Sequence, residues 1–326
     1  MPAERRVTVI STVLNEGASV RRLLDSLVAQ TRPPDAVVIV DGGSCDDTVA
    51  VIEAYADRLP LRVIVRPGAN ISQGRNAAVA AVADGIIASV DAGVRLDPAW
   101  LERLVAPFEA DPATQVVSGF FLPDPQTSFE IAMAATVLPR VEEINPETFL
   151  PSSRSVAYRR EAFAAVGGYP EWLDYCEDLI FDLRLRARFG RFAWAPDAVA
   201  YFRPRGSLRA FFVQYYRYAR GDGKADLWRR RHLIRYITYL LLGPFLLLAG
   251  ALHRRWWWLL LAAGAVWMFS RPIWRLGREY PLPVVLRVGG WTPVIRVTGD
   301  VAKMLGYPVG CWWRWRRRPP DWRRAL

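Results

Sequence analysis

The chain is poor in lysine, histidine and cysteine, and each shortage excludes something. Lysine occurs only at Lys224 and Lys303, so nearly all of the positive charge is arginine. Histidine occurs only at His232 and His253, which leaves a metal site little imidazole to draw on. The three cysteines, Cys45, Cys176 and Cys311, are far apart and form no C-x-x-C pair. Such a set excludes a disulfide framework and suits a reducing compartment. No long apolar stretch precedes a small-residue cleavage site in MPAERRVTVISTV, so no signal peptide is expected.

What is present is size, basicity and aromatic rings. The 326 residues suffice for one large domain or for a catalytic domain with an appendage. The 43 Lys+Arg exceed the 32 Asp+Glu, giving a formal charge of +11 and a pI near 10.0. A balance of this kind suits either nucleic acid or an anionic membrane surface. The excess lies after Arg203, interleaved with tryptophan and long apolar runs, which favours the membrane and argues against nucleic acid.

Residues 7–110 alternate between two periodicities. VTVISTV, AVVIVD, LRVIV and IIASVD read as strands; SVRRLLDSLVAQ, DDTVAVIEAYADRL and ISQGRNAAVAAVADG read as helices. That alternation predicts βαβ units and a mostly parallel sheet flanked by helices. Beyond Pro98 the pattern loosens. PAWLERLVAPF, EDLIFDLRLRARFG and SLRAFFVQYYRYARG predict helices, the second ended by Gly190, while TQVVSGFF and AVAYF predict strands.

Composition changes again after Arg231. Tyr236–Leu252 and Trp256–Ser270 carry no charged side chain, and His253-Arg254-Arg255 separates them. At 1.5 Å per residue they reach roughly 26 and 22 Å, and flanking apolar residues extend both toward the ~30 Å of a bilayer core. Arginines are concentrated before and after the pair, so a membrane hairpin with both ends cytoplasmic is expected, with a re-entrant hairpin as the alternative. TPVIRVTGDVAKMLGYP predicts an amphipathic helix that starts at Thr292-Pro293 and stops at Gly306 and Pro308. The tail CWWRWRRRPPDWRRAL alternates rings with arginine, as an anionic headgroup layer would favour. The expected division is 1–225, 226–275 and 276–326: a catalytic domain, a hairpin, then the amphipathic helix with its basic tail.

Several polar residues stand where ligands bind an open α/β sheet, at the carboxyl ends of strands. Asn15 and Glu16 follow the first strand. Asp41 ends the second, ahead of Gly42-Gly43, and is expected to be free to accept an N–H from a nucleobase edge. Arg75 and Asn76 fall near the start of a helix, a setting suited to phosphate or ribose. Asp91 ends IIASVD, where a carboxylate can hold Mg²⁺ or Mn²⁺ against a diphosphate. Glu177 and Asp178 open a helix, one able to take a proton from an acceptor hydroxyl and the other to make a structural contact. Gln214 and Arg217 are three apart and share a helix face.

In this order the residues resemble the family 2 glycosyltransferases, of GT-A fold, over about residues 7–220. The resemblance implies that Asp41 reads the base and Arg75 contacts the nucleotide. It further implies that Asp91-Ala92-Gly93 corresponds to the D-x-D element, that Asp178 is the base, and that Gln214-Tyr215-Tyr216-Arg217-Tyr218 corresponds to Q-x-x-R-W. It implies inversion at the anomeric carbon, a nucleotide-sugar donor (UDP- or GDP-linked) and a divalent metal, Mn or Mg. This chain departs from the pattern at Gly93, which replaces the second acid, at Tyr218, which replaces tryptophan, and at Tyr201-Phe202, where many relatives have histidine. The expected reaction is transfer to a hydroxyl of a lipid-linked or glycolipid acceptor at the cytoplasmic membrane face. Transfer to polyprenyl phosphate, or a non-catalytic nucleotide-sugar-binding scaffold, are the alternatives. A nucleotidyltransferase is disfavoured because VLNEGASVRR lacks a dense Gly-rich phosphate loop.

Overall fold

The computed structural model describes residues 6–325. The expectations for Met1–Arg5, and for Leu326 at the end of the basic tail, lie outside the described residues. The strands are β1 Val7–Val13, β2 Ala36–Asp41, β3 Leu61–Val65, β4 Ile86–Ser89, β5 Val94–Leu96, β6 Val116–Pro123, β7 Val156–Arg159 and β8 Ala193–Phe202. The helices are α1 Arg21–Val28, α2 Thr48–Glu53, α3 Ile71–Ala80, α4 Trp100–Ala110, α5 Ser128–Val137, α6 Arg160–Ala165 and α7 Glu177–Phe189. They continue with α8 Leu208–Ala225, α9 Arg229–Tyr236, α10 Gly243–Leu252, α11 Trp257–Glu279, α12 Leu282–Gly289 and α13 Trp291–Arg317. The chain divides into two compact units: residues 1–124, 140–203 and 320–326 in the first, 125–139 and 204–319 in the second.

All eight strands belong to the first unit and form one sheet in the order β3-β2-β1-β4-β7-β6-β8-β5. β3, β2, β1 and β4 run parallel, as the βαβ alternation requires, with Val9 paired to Val37 and to Ala88. The second half is mixed: β7 is antiparallel to β4 and β6, β6 is parallel to β8, and β5 is antiparallel to β8. Apolar residues on both sides of the strands bury both faces. One layer joins Val9, Ile39 and Ala88 to Leu23, Leu27, Ile52 and Leu104 of α1, α2 and α4. The other joins Ile10, Val38 and Ile87 to Ala78, Val79, Phe181 and Leu185 of α3 and α7. Residues four apart supply the helical side of each layer, Leu23 and Leu27 in the first and Phe181 and Leu185 in the second.

The second unit is helical. Its core joins Met133 of α5, Phe211 of α8, Leu276 of α11, Val288 of α12 and Ile295 of α13. The helix expected to stop at Gly306 and Pro308 instead runs on to Arg317 and takes in half of the basic tail. Two features remove the stop. A proline at 308 leaves the Met304 carbonyl without its helical donor, and the Tyr236 hydroxyl fills that place at 2.7 Å. Gly306 and Gly310 face α8, where an added Cβ would lie 2.2 Å from the Tyr216 carbonyl oxygen and 2.1 Å from that of Arg220. Here the glycines permit close helix packing; they do not end a helix.

Among the described residues one helix, Arg229–Leu252, is long and apolar enough to cross a membrane by length and composition. It comprises α9, a π-helical turn at Ile237–Leu242, and α10. α11 returns along α10: Phe245 meets Trp257 edge-on with ring centroids 5.6 Å apart, and Gly250 lies against the Trp258 ring. Leu241, Leu248, Leu252, Leu259, Val266 and Trp267 on these helices are exposed, an apolar surface of the kind that marks a protein or membrane interaction site.

Candidate active site

The candidate residues of the first unit gather at the carboxyl ends of β1, β2 and β4. At the end of β1, Asn15 adopts φ 53°, a left-handed conformation that asparagine tolerates better than most residues. This turns its side-chain carbonyl to accept the Cys45 N–H at 2.9 Å, while its own N–H donates to the Ser44 hydroxyl at 2.8 Å. The Glu16 N–H donates to Thr48 Oγ1 at 2.9 Å. Asn15 and Glu16 therefore tie the β1 loop to the 43–48 loop.

Asp41 is the last residue of β2 and is 1% exposed. The Gly43 and Ser44 N–H groups donate to its Oδ2 at 2.9 Å each, and the Ser44 hydroxyl donates to Oδ1. The expectation of a free carboxylate is corrected here. Gly43 takes φ +99° in the tight turn after Asp41, and the Gly43 and Ser44 N–H groups of that turn point back at the acid. Of about four lone-pair sites, three are filled.

Arg75 differs from its expected setting as well. α3 starts at Ile71, capped by Asn70 in a reciprocal box with Gln73, so Arg75 lies in the helix body and is 3% exposed. Its Nη1 donates to Glu177 Oε1 at 2.6 Å and its Nη2 to Asp91 Oδ1 at 3.0 Å, and the guanidinium lies 5.2 Å from the centre of the Tyr169 ring. Asn76 is spent on the loop that leads to α7. It donates to the Tyr169 carbonyl and to Glu171, and accepts the Tyr169 N–H, each at 2.9 Å. At Gly168, φ is +68° and a Cβ would strike Asn76 Oδ1 and Phe163, so only glycine lets that loop close. The loop ends at Cys176, whose φ of 66° is strained for a non-glycine residue and sets the entry of Glu177-Asp178 into α7.

The two acids then separate by environment. Glu177 is buried against Arg75, whereas Asp178 is half-buried, and its Oδ1 accepts the Leu179 N–H at 2.8 Å. Burial, followed by the Asp178 charge, pushes Glu177 up to about 7 while Arg75 draws it down. Burial lowers Arg75, but the facing Glu177, then Tyr169 and Asp91, outweigh it, so Arg75 is held well above its ordinary value. The partners thus pull in opposite directions. With a permanently charged guanidinium at 2.6 Å, Glu177 is the anion of this pair from neutral pH upward.

Asp182, one turn further along α7, is 2% exposed, and its Oδ2 has no hydrogen-bond partner among the described residues. Burial, reinforced by Asp178, pushes its carboxyl well above the usual carboxylate range. The folded chain therefore keeps a proton that the unfolded chain releases above about pH 4. With more protons bound in the native state, stability falls as pH rises through this window, by about 1.4 kcal/mol per pH unit. Asp182→Asn abolishes that proton uptake. Its melting temperature is expected to gain on the wild type as pH rises from about 4 to 7; parallel curves would show that Asp182 is ionised in the fold.

Asp91 lies two residues past β4 and is 33% exposed. Besides Arg75 it meets a second cation that sequence reasoning missed: Arg154 Nε is 3.4 Å from Asp91 Oδ2. The Arg154 guanidinium is 4.4 Å from the centre of the Phe202 ring and 5.4 Å from that of Phe121. Its backbone is anchored by Ser155, whose hydroxyl donates to the Ala198 carbonyl at 2.7 Å and accepts the Trp100 indole N–H at 2.9 Å. The bulge at Gly119 makes room, since a Cβ there would sit 2.0 Å from Ser155 Oγ. One arginine in an arginine-rich chain, in a short SSRS run without periodicity, carries no sequence signal.

The donor set around Asp91 does not fit a divalent metal. Gly93 contributes no side-chain carboxylate, Phe202 no imidazole, and both oxygens of Asp91 face guanidinium groups. A dication about 5 Å from one guanidinium would meet roughly 7 kcal/mol of repulsion at an effective dielectric constant near 20. Among the described residues no group of three or more His, Cys, Asp or Glu side chains is placed to hold a metal ion.

Gln214 and Arg217 lie on α8 of the second unit. Gln214 Nε2 donates to the Tyr218 hydroxyl at 2.7 Å, so the tyrosine at the motif's last position is coupled to its first; Arg217 is exposed.

Comparison with known proteins gives three kinds of match. The model of a family described as glycosyl transferase family 2 matches residues 8–167. Succinoglycan biosynthesis protein ExoA of Rhizobium meliloti is 30% identical over 239 residues, covering 68% of this chain and 70% of its own. The O-antigen chain rhamnosyltransferase RfbN of Salmonella typhimurium is 26% identical over 225 residues, covering 65% and 70%. Among solved structures, the mannosyltransferase PcManGT of Pyrobaculum calidifontis, in complex with GDP-Man and Mn²⁺, superposes with a TM-score of 0.57 at 18% identity, over 97% of this chain and 89% of that one. At that identity the likeness shows a shared fold, the mixed α/β architecture of GT-A type.

Proposed function

The chain belongs to glycosyl transferase family 2, and from that premise we propose that it moves a sugar from a UDP- or GDP-sugar to a hydroxyl of a lipid-linked saccharide or glycolipid at the cytoplasmic face of a membrane. The observation that carries the reading is the chain of charges Glu177–Arg75–Asp91–Arg154, buried at Glu177 and Arg75 and partly open at Asp91 and Arg154, with the half-buried Asp178 beside it. It lies at the carboxyl ends of parallel strands, where such sheets bind ligands.

Each residue then has a role its surroundings favour. Glu177 holds Arg75, and together with Asp91 they form a rigid floor for the nucleoside diphosphate. Asp178, not consumed by that floor, is the proton acceptor. The acceptor hydroxyl oxygen attacks the anomeric carbon on the side opposite the diphosphate, and its proton passes to the Asp178 carboxylate. The bond from anomeric carbon to phosphate oxygen breaks, and its electron pair leaves with the nucleoside diphosphate, inverting the centre. Asn15, Glu16 and Asp41 shape the nucleotide pocket mainly through the loop they brace, and the one lone-pair site left on Asp41 is the contact assigned to the base. Asn76 acts through the 167–176 loop. Gln214 and Arg217 are assigned to the donor diphosphate, as the family motif implies.

The acid pair supports a hydroxyl acceptor, because a phosphate acceptor is already ionised and needs no base. The exposed apolar faces of α10 and α11 support a membrane hairpin, with residues 1–225 as the catalytic part and 276–326 as the basic appendage. ExoA and RfbN are named for polysaccharide assembly, which supports a lipid-linked acceptor. Incubating membranes that carry the protein with labelled UDP-, GDP- and dTDP-sugars and extracted lipids tests the reading. Label is expected in a lipid-extractable product; release as free sugar alone would contradict it.

A further inference from the structure

Around Asp91 a cation stands where the family resemblance calls for more acid. The position two residues on is Gly93, and the strand end opposite carries Phe202. Into this space comes Arg154, ion-paired to Asp91 at 3.4 Å, its guanidinium carbon 4.4 Å from the centre of the Phe202 ring, its side chain 19% exposed. Phe202 is therefore a platform for a guanidinium. The Ser155 anchor and the Gly119 bulge fix the Arg154 backbone beside it to the sheet.

We infer that Arg154 supplies positive charge to the donor diphosphate in the place of a divalent metal, so that the nucleotide sugar is held, and its leaving group compensated, without one. The inference rests on the donor reading proposed above. A guanidinium can meet phosphate oxygens through two N–H groups at once and stays charged at every working pH. Asp91 has a different duty here from that of a metal ligand: it aims Arg154 and, with Glu177, holds Arg75. As the anomeric bond breaks, the electron pair moves onto the departing diphosphate, and Arg154 faces that growing charge while exchanging neither bond nor proton.

Binding of UDP and GDP to the purified full-length protein, by titration calorimetry in excess EDTA and again in Mn²⁺, tests this. For the wild type, the affinity of whichever nucleotide binds is expected to be the same in both within about twofold, while Arg154→Gln weakens it roughly tenfold or more in both. Arg154→Lys, which keeps a cation but not the fork, is expected to fall between. Melting temperatures near the wild type's establish that these variants fold. The double variant Gly93→Asp/Arg154→Gln restores a two-acid element; an added Cβ at Gly93 meets nothing within 4 Å. It is expected to bind tightly only with Mn²⁺. Wild-type binding that vanishes in EDTA would overturn the arginine assignment and leave the donor reading standing. No binding of UDP, GDP or dTDP, with or without Mn²⁺, would overturn both.

Discussion

Asp178→Asn is expected to lower sugar transfer by about three orders of magnitude while leaving nucleoside diphosphate affinity nearly unchanged, the range general-base removal commonly produces. The split between the two readouts follows from the site. Asp178 is half-buried and takes no part in the Glu177–Arg75–Asp91 chain, so a neutral amide of the same shape leaves the floor of the pocket intact. Asn cannot accept the hydroxyl proton. Transfer rates and calorimetric affinity measured on one preparation decide the matter, and near-normal turnover would remove Asp178 from the role of base. Glu177→Gln behaves differently, since its loss falls on Arg75 and hence on donor binding.

Arg75→Ala is the second large effect, and it appears in stability. The guanidinium is 3% exposed and is hydrogen-bonded to both Glu177 and Asp91. Its removal leaves Glu177, 7% exposed, as a buried carboxylate without its close cation. Breaking a buried pair in this one-sided way costs about 3–5 kcal/mol. Thermal or denaturant unfolding should register that loss. Arg75→Lys should recover only part of it, since an ammonium cannot span both acids as the planar fork does. A loss of less than about 1 kcal/mol for the alanine variant would mean that the triad is solvated and not a buried structural element.

Much of this was legible in the chain because the parallel half of the sheet is written in runs of valine and isoleucine. Asp41 and Asp91 stood out because each follows such a run, and strand ends are where ligands collect. What could not be read was the use to which each side chain is put. Asp41 reads as a free acceptor until the tight turn through Gly42 and Gly43 brings two N–H groups onto it. Arg75 reads as a phosphate contact until its partners arrive from Asp91 and, across about a hundred residues of chain, from Glu177. Arg154 left no trace, because its meaning depends on Asp91, Phe121 and Phe202, none of them near it in sequence. In the helical unit, Gly306 and Pro308 have the local chemistry of a stop, and tertiary packing overrides it through the Tyr236 hydroxyl and the close approach of α8.

The central claim is a single displacement at the anomeric carbon with Asp178 as base, and the anomeric configuration of the lipid product from the labelled-donor incubation tests it most directly. A linkage opposite in configuration to the donor's, formed by the wild type and absent with Asp178→Asn, is the predicted result. A product that retains the donor's configuration would contradict it.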